Sequence, residues 1–131
     1  MDKIKRFLNS IYLGDRFCEG IDIKDRQIRL QINCISRVRD GSGEWNYYSD
    51  EDIEHGCLVF DEVVDFGWDN GLCINDEIYD IELVKKDGEV YSFIIHGCNV
   101  SDDAVSVDTD LRIKAKKFYI LNPKDKRIIE A

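Results

Sequence analysis

What the sequence has little of narrows its reading first. Among 131 residues there is one proline, Pro123, and no proline- or glycine-rich stretch, so no linker is marked and 1–131 reads as a single domain. No run of 18 apolar residues occurs, nor an apolar core behind a basic start, so neither a membrane span nor a signal peptide is expected. Five cysteines (Cys18, Cys34, Cys57, Cys73, Cys98) form no Cys-x-x-Cys pair, and their odd number argues against a disulfide frame or a zinc site. Isolated thiols used as small hydrophobes suit a reducing compartment, so a cytoplasmic protein is expected. Lysine and arginine are nearly absent from the middle of the chain, where Lys85 and Lys86 stand against twenty acids between Asp40 and Asp110.

The charge is therefore unevenly spread. The net charge is −9, but residues 1–39 carry +4, residues 40–110 carry −18 and residues 111–131 carry +5. Such a balance opposes nucleic-acid binding, which needs cations to displace counterions, and favours a basic partner. The competing reading is that the two positive ends fold back and neutralise the middle.

Apolar residues make up 44% of the chain, with 14 aromatics, enough for a core. Ile4, Phe7, Leu8 and Ile11 share one helical face after Asp2, the expected cap, with Gly14 as the stop. The period then becomes two. Residues 18–23 and Ile28 onward towards Val38 read as strands, as do Cys57–Val64, Ala104–Val107 and Leu111–Leu121. The clearest hairpin joins Ile78–Val84 to Val90–His96 through residues 85–89, with Asp87-Gly88 supplying the turn. Asp108-Thr109-Asp110 reads as a turn between strands, Trp68-Asp69-Asn70-Gly71 as another, and Pro123–Arg127 as a solvated tail. The expectation is an α+β chain, mainly an antiparallel β-sheet or small sandwich of six to seven strands with one N-terminal helix.

Chemistry is weakly signalled. His96 and Cys98 could share a strand face, but a strand-end histidine beside a buried thiol is the simpler account. Asp50, Asp52 and Glu54 have the 1, 3, 5 spacing of a calcium loop, yet His55 stands where glycine is needed and Asp61 where a glutamate is. No phosphate cradle is present, and carboxylate pairs among 27 acids are expected by chance. No catalytic residue, metal or cofactor is expected. The remaining feature is a mixture of aromatics and acids in two places. Trp45, Tyr47, Tyr48, Asp50, Glu51, Asp52 and Glu54 form one, and Asp65, Trp68 and Asp69 the other. Rigid aromatic anchors ringed by acids are the composition of a protein–protein hot spot for a basic partner, and these ten residues are the candidate site.

The runs Ile11–Arg16, Ile32–Arg39 and Trp45–Ile53 together resemble an uncharacterised family of small bacterial proteins. That family is similar to the immunity proteins that accompany polymorphic or contact-dependent growth-inhibition toxins. The resemblance implies a non-catalytic inhibitor that docks on a cognate toxin domain, and it carries over no functional residues. A small regulatory or structural binding module is the alternative, and a Cys/His or carboxylate enzyme a more distant one.

Overall fold

The computed structural model describes residues 2–37 and 52–130, which form one helix and nine strands. Helix α1 (Asp2–Ser10) is followed by β1 (Arg16–Lys24), β2 (Gln27–Ile32) and β3 (Cys34–Ser36). Beyond residue 51 come β4 (Asp52–Glu54), β5 (Cys57–Trp68), β6 (Glu77–Asp87), β7 (Val90–Val100), β8 (Ser106–Asn122) and β9 (Arg127–Glu130). The protein is mostly antiparallel β-sheet with one short N-terminal helix, as the periodicities imply.

The connectivity goes further. β5 pairs with β2 on one edge and with β8 on the other, so the order β5-β2-β1-β6-β7-β8 returns to its start. Six antiparallel strands thus form a ring, which removes most of the sheet's edges, and β9 pairs with the end of β8. The ring is thinnest between β1 and β6, where only Arg16↔Ile78 and Phe17↔Glu77 are in register. Cys18 prolongs this seam by donating its N–H to the Asp76 carbonyl at 2.8 Å. α1 lies beside β6 on one side of the seam, and the segment 69–76 crosses on the other.

Alternation decides what faces inward. Ile28, Leu30 and Ile32 of β2, Leu58 and Phe60 of β5, Phe93 and Ile95 of β7 and Leu111 and Ile113 of β8 fill the ring. At its centre Phe60 meets Phe93 edge-on at 5.1 Å and Phe118 at 5.0 Å, and Phe7 of α1 reaches Phe118 at 5.7 Å.

Several boundaries differ from those read off the sequence, each for a local reason. α1 stops at Ser10, four residues before Gly14, because Ser10 Oγ donates to the Phe7 carbonyl and the Tyr12 N–H is drawn to the Ser36 carbonyl. β2 ends at Ile32, since Asn33 turns aside to accept the Phe17 N–H on its side chain, and β3 pairs with β4 in a separate two-stranded sheet. β5 runs past Val64 to Trp68, with its register shift at Val64. Lys85–Asp87 belong to β6, and the hairpin loop is only Gly88-Glu89, with Gly88 at φ +61°. Asp108-Thr109-Asp110 is no turn but part of one 17-residue strand, held by the buried Thr109 hydroxyl donating to the Leu72 carbonyl at 2.6 Å. The expected tail is a turn at 123–126 leading into β9, fixed by Asn122 and Asp125 side chains accepting the N–H groups of Lys124 and Arg127.

Candidate partner-binding surface

Of the ten candidate residues, Trp45, Tyr47, Tyr48, Asp50 and Glu51 lie outside the described residues. The other five fall in two separate places. Asp52 and Glu54 are exposed on β4, whereas Asp65, Trp68 and Asp69 lie at the far end of β5. β4 belongs to the separate two-stranded sheet, and the length of β5 lies between the two groups. They are not brought together.

Asp52 has an internal task. Its carboxylate accepts the Ser36 hydroxyl at 2.7 Å, and Arg16 Nη2 donates to the same hydroxyl at 2.9 Å, so a buried serine ties β1, β3 and β4 together. Asp52 and Glu54 flank the inward Ile53 on a strand, so they do not form the folded loop a calcium site requires. No cluster of metal-ligating side chains occurs among the described residues.

The β5 group is built differently. Phe66 and Trp68 point towards the interior, in line with Ile113 and Leu111 of β8, while Asp65 and Gly67 point outward beside Lys114 and Arg112. Trp68 is not the free anchor its composition suggested, because it packs half-buried against the core. Phe66 is the exposed aromatic, at 43% accessibility, with Val64 and Ile23 exposed beside it. Its signal was the unbroken run Val64–Trp68, which reads as strand only if the acid at 65 is allowed on an outer face.

Depressions border this strip on both faces. Outside, a groove of about 540 Å³ lies over β6, β7, β8 and β5 between Asp65, Asp69, Arg112, Lys114 and Val84, with Ser92 among its lining residues. On the other side, clefts of about 320 and 380 Å³ separate Phe66 and Trp68 from Ile21 and Ile23 at the tip of the β1–β2 hairpin.

Charge at the site is partly self-neutralised. β8 carries basic residues along its outer face against the acids of β5 in register, Lys117 opposite Asp61 and Lys114 opposite Asp65. Arg112 holds both Asp69 oxygens at 2.8 and 3.0 Å, and Lys117 meets Glu62 at 3.3 Å. The positive C-terminal block thus folds back on the acidic middle. The Asp65 carboxylate makes no hydrogen bond or ion pair with any described residue, although Lys114 stands opposite it. Beyond Arg112, His96 sits between Asp110 at 2.8 Å and Glu82 at 3.1 Å, a carboxylate cluster that the reading of Asp108–Asp110 as a turn concealed.

These bonds also bear on nucleophilic chemistry. Both His96 ring nitrogens are occupied by carboxylates, and Cys98 is buried with its sulfur 4.0 Å from Asp76, so the two do not form a base–nucleophile pair. Burial pushes the Cys18 thiol up to about 11, the Gly20 carbonyl contact only partly opposing it, and burial raises the Cys57 thiol as well, which keeps both protonated. All five cysteines are free, and no helix among the described residues is long and apolar enough to cross a membrane.

Fold and surface together define a small antiparallel β-ring protein with an exposed, acid-flanked strand end. The chain matches, over residues 1–130, a family of unknown function (DUF6258), and it belongs to that family. No curated protein and no solved structure matches it.

Proposed function

We propose that this chain is a cytoplasmic immunity protein, a non-catalytic inhibitor that docks on a cognate bacterial toxin domain with a basic surface. The observation that carries the reading is the strip Val64–Asp69. It combines an exposed Phe66, an unpaired Asp65 and depressions on both sides, which are the ingredients of an anchored protein interface. The acidic excess of residues 40–110 supports a basic partner, and the free thiols support a reducing compartment.

The test is complex formation with the toxin domain encoded beside this chain's gene, measured by size exclusion and by protection of cells expressing that domain. A stable complex, weakened at least tenfold by Phe66→Ala, is the expected result. No complex and no protection would overturn the reading.

A further inference from the structure

β5 is longer than the strand beside it. β2 pairs with β5 only through residues 57–60, and the last bond on that side is the Val63 N–H donated to the Arg26 carbonyl at 2.8 Å. From Val64 to Trp68 the strand pairs with β8 alone, and the lane that β2 would occupy is unfilled by any described strand. Strand stereochemistry says which groups face that lane. On β5 the inward side chains belong to residues whose peptide groups turn towards β2, as at Val63, whereas the outward Asp69 sends its N–H to the Asp110 carbonyl of β8 at 3.1 Å. Phe66 and Trp68 point inward, so their peptide groups face the lane that no described strand fills, although the Trp68 carbonyl also accepts the Gly71 N–H at 3.4 Å.

We propose that the Val64–Trp68 edge of β5 is a strand-addition site for an extended partner segment that alternates basic and apolar residues. This deepens the immunity reading and rests on it for the identity of the partner. Main-chain bonds to the N–H and carbonyl of Phe66 and to the Trp68 N–H supply the attachment. Side chains of the added strand opposite Phe66 and Trp68 drop into the clefts beside Ile21 and Ile23, whose apolar walls are edged by Arg26 and Gln27 in one and by Glu19 and Asn75 in the other. Those opposite Asp65 and Gly67 lie on the outer face, where the Asp65 carboxylate forms no salt bridge with its cross-strand neighbour Lys114 and a side chain built on Gly67 would meet nothing within 4 Å. A basic residue there completes the charge pattern. Self-pairing of two copies about Gly67 is disfavoured, because it sets Asp65 opposite Asp69 twice.

The experiment uses the full chain and a fluorescent nonapeptide of alternating lysine and valine, with a glutamate/valine peptide as its counterpart. The lysine peptide is expected to bind at least tenfold tighter by anisotropy and to slow hydrogen exchange at the Phe66 and Trp68 amides. Phe66→Pro removes the N–H that faces the lane and leaves the β8 ladder whole, so it is expected to weaken binding at least tenfold. Asp65→Lys is expected to abolish the preference for the lysine peptide. No binding, equal binding of the two peptides, or binding that leaves Phe66 and Trp68 exchange unchanged overturns the proposal. The exchange measurement on the wild-type chain stands even if Phe66→Pro fails to fold. Because the probe is a peptide, its failure leaves the toxin test intact, and a toxin complex without protection at these amides refutes only strand addition.

Discussion

His96 shows how a single side chain can be read two ways until its neighbours are known. In sequence it stands two residues before Cys98, which suggests a catalytic pair; in the fold both ring nitrogens are taken by Asp110 and Glu82. Burial disfavours its charged form, but the two carboxylates outweigh it and raise its pKa above the usual 6.5. The consequence for stability has a definite sign. A histidine whose folded pKa is raised contributes fully below its unfolded pKa, and that contribution fades as pH climbs through the folded value. His96→Gln is therefore expected to destabilise the protein more at about pH 6 than at about pH 8.5, the difference being about 1 kcal/mol for partly exposed pairs. Urea denaturation of wild type and variant at both pH values measures it. The comparison cancels His55, whose pKa is also raised, by its hydrogen bond to Glu19. An equal loss at both pH values would mean that His96 folds without its proton.

At the scale of elements, β7 fits closely against the start of β6 and the segment that crosses the β1–β6 seam. A Cβ on Gly97 would lie 2.8 Å from the Glu77 carbonyl oxygen and 2.9 Å from Ile74 carbons, whereas one on Gly20 of β1 would meet nothing within 4 Å. Gly97→Ala is expected to cost about 1–3 kcal/mol as an overpacked site, and Gly20→Ala to stay within about 0.5 kcal/mol, by chemical denaturation. Stability unchanged in Gly97→Ala would mean that Ile74 does not pack against β7 in solution. Strands whose partners are near in sequence were legible: residues 78–84 and 90–96 pair around a short turn, and Leu111, Ile113 and Ala115 alternate cleanly. What was not legible depends on distant partners. Thr109 reads as a turn residue until Leu72 accepts its hydroxyl, Asn33 as mid-strand until Phe17 bonds its side chain, and closure of the ring through β5 and β8 leaves no local mark. The candidate site was half legible for the same reason. Asp65, Trp68 and Asp69 were found by composition and Phe66 was not; the register of β5 against β8 turns Phe66 and Trp68 to the same side, and only the packing shows that Phe66 is left exposed while Trp68 is held by the core.

For the whole molecule, the question is how much of the −18 carried by residues 40–110 is left for a partner. Pairing of β5 with β8 consumes part of it, through Arg112 with Asp69 and Lys117 with Glu62, and β7 with β8 brings Lys116 within 3.9 Å of Glu89. These contacts are exposed, so they pair charges without removing them from the long-range field, and a net charge of −9 still acts on an approaching basic protein. Steering and anchoring should then separate. Replacing Asp50, Glu51, Asp52 and Glu54 by their amides removes four charges, while the side-chain oxygen of the amide in Asp52→Asn can still accept the Ser36 hydroxyl. On the proposed immunity reading, association with a cognate basic toxin domain is expected to slow roughly threefold to tenfold at low salt and to converge with wild type as ionic strength shortens the screening length. Dissociation should be unchanged if the anchor lies on β5. Stopped-flow mixing across a salt series resolves the two rates: a faster dissociation would place residues 50–54 inside the contact, and an unaltered association rate at low salt would show that the acidic excess does not guide the encounter.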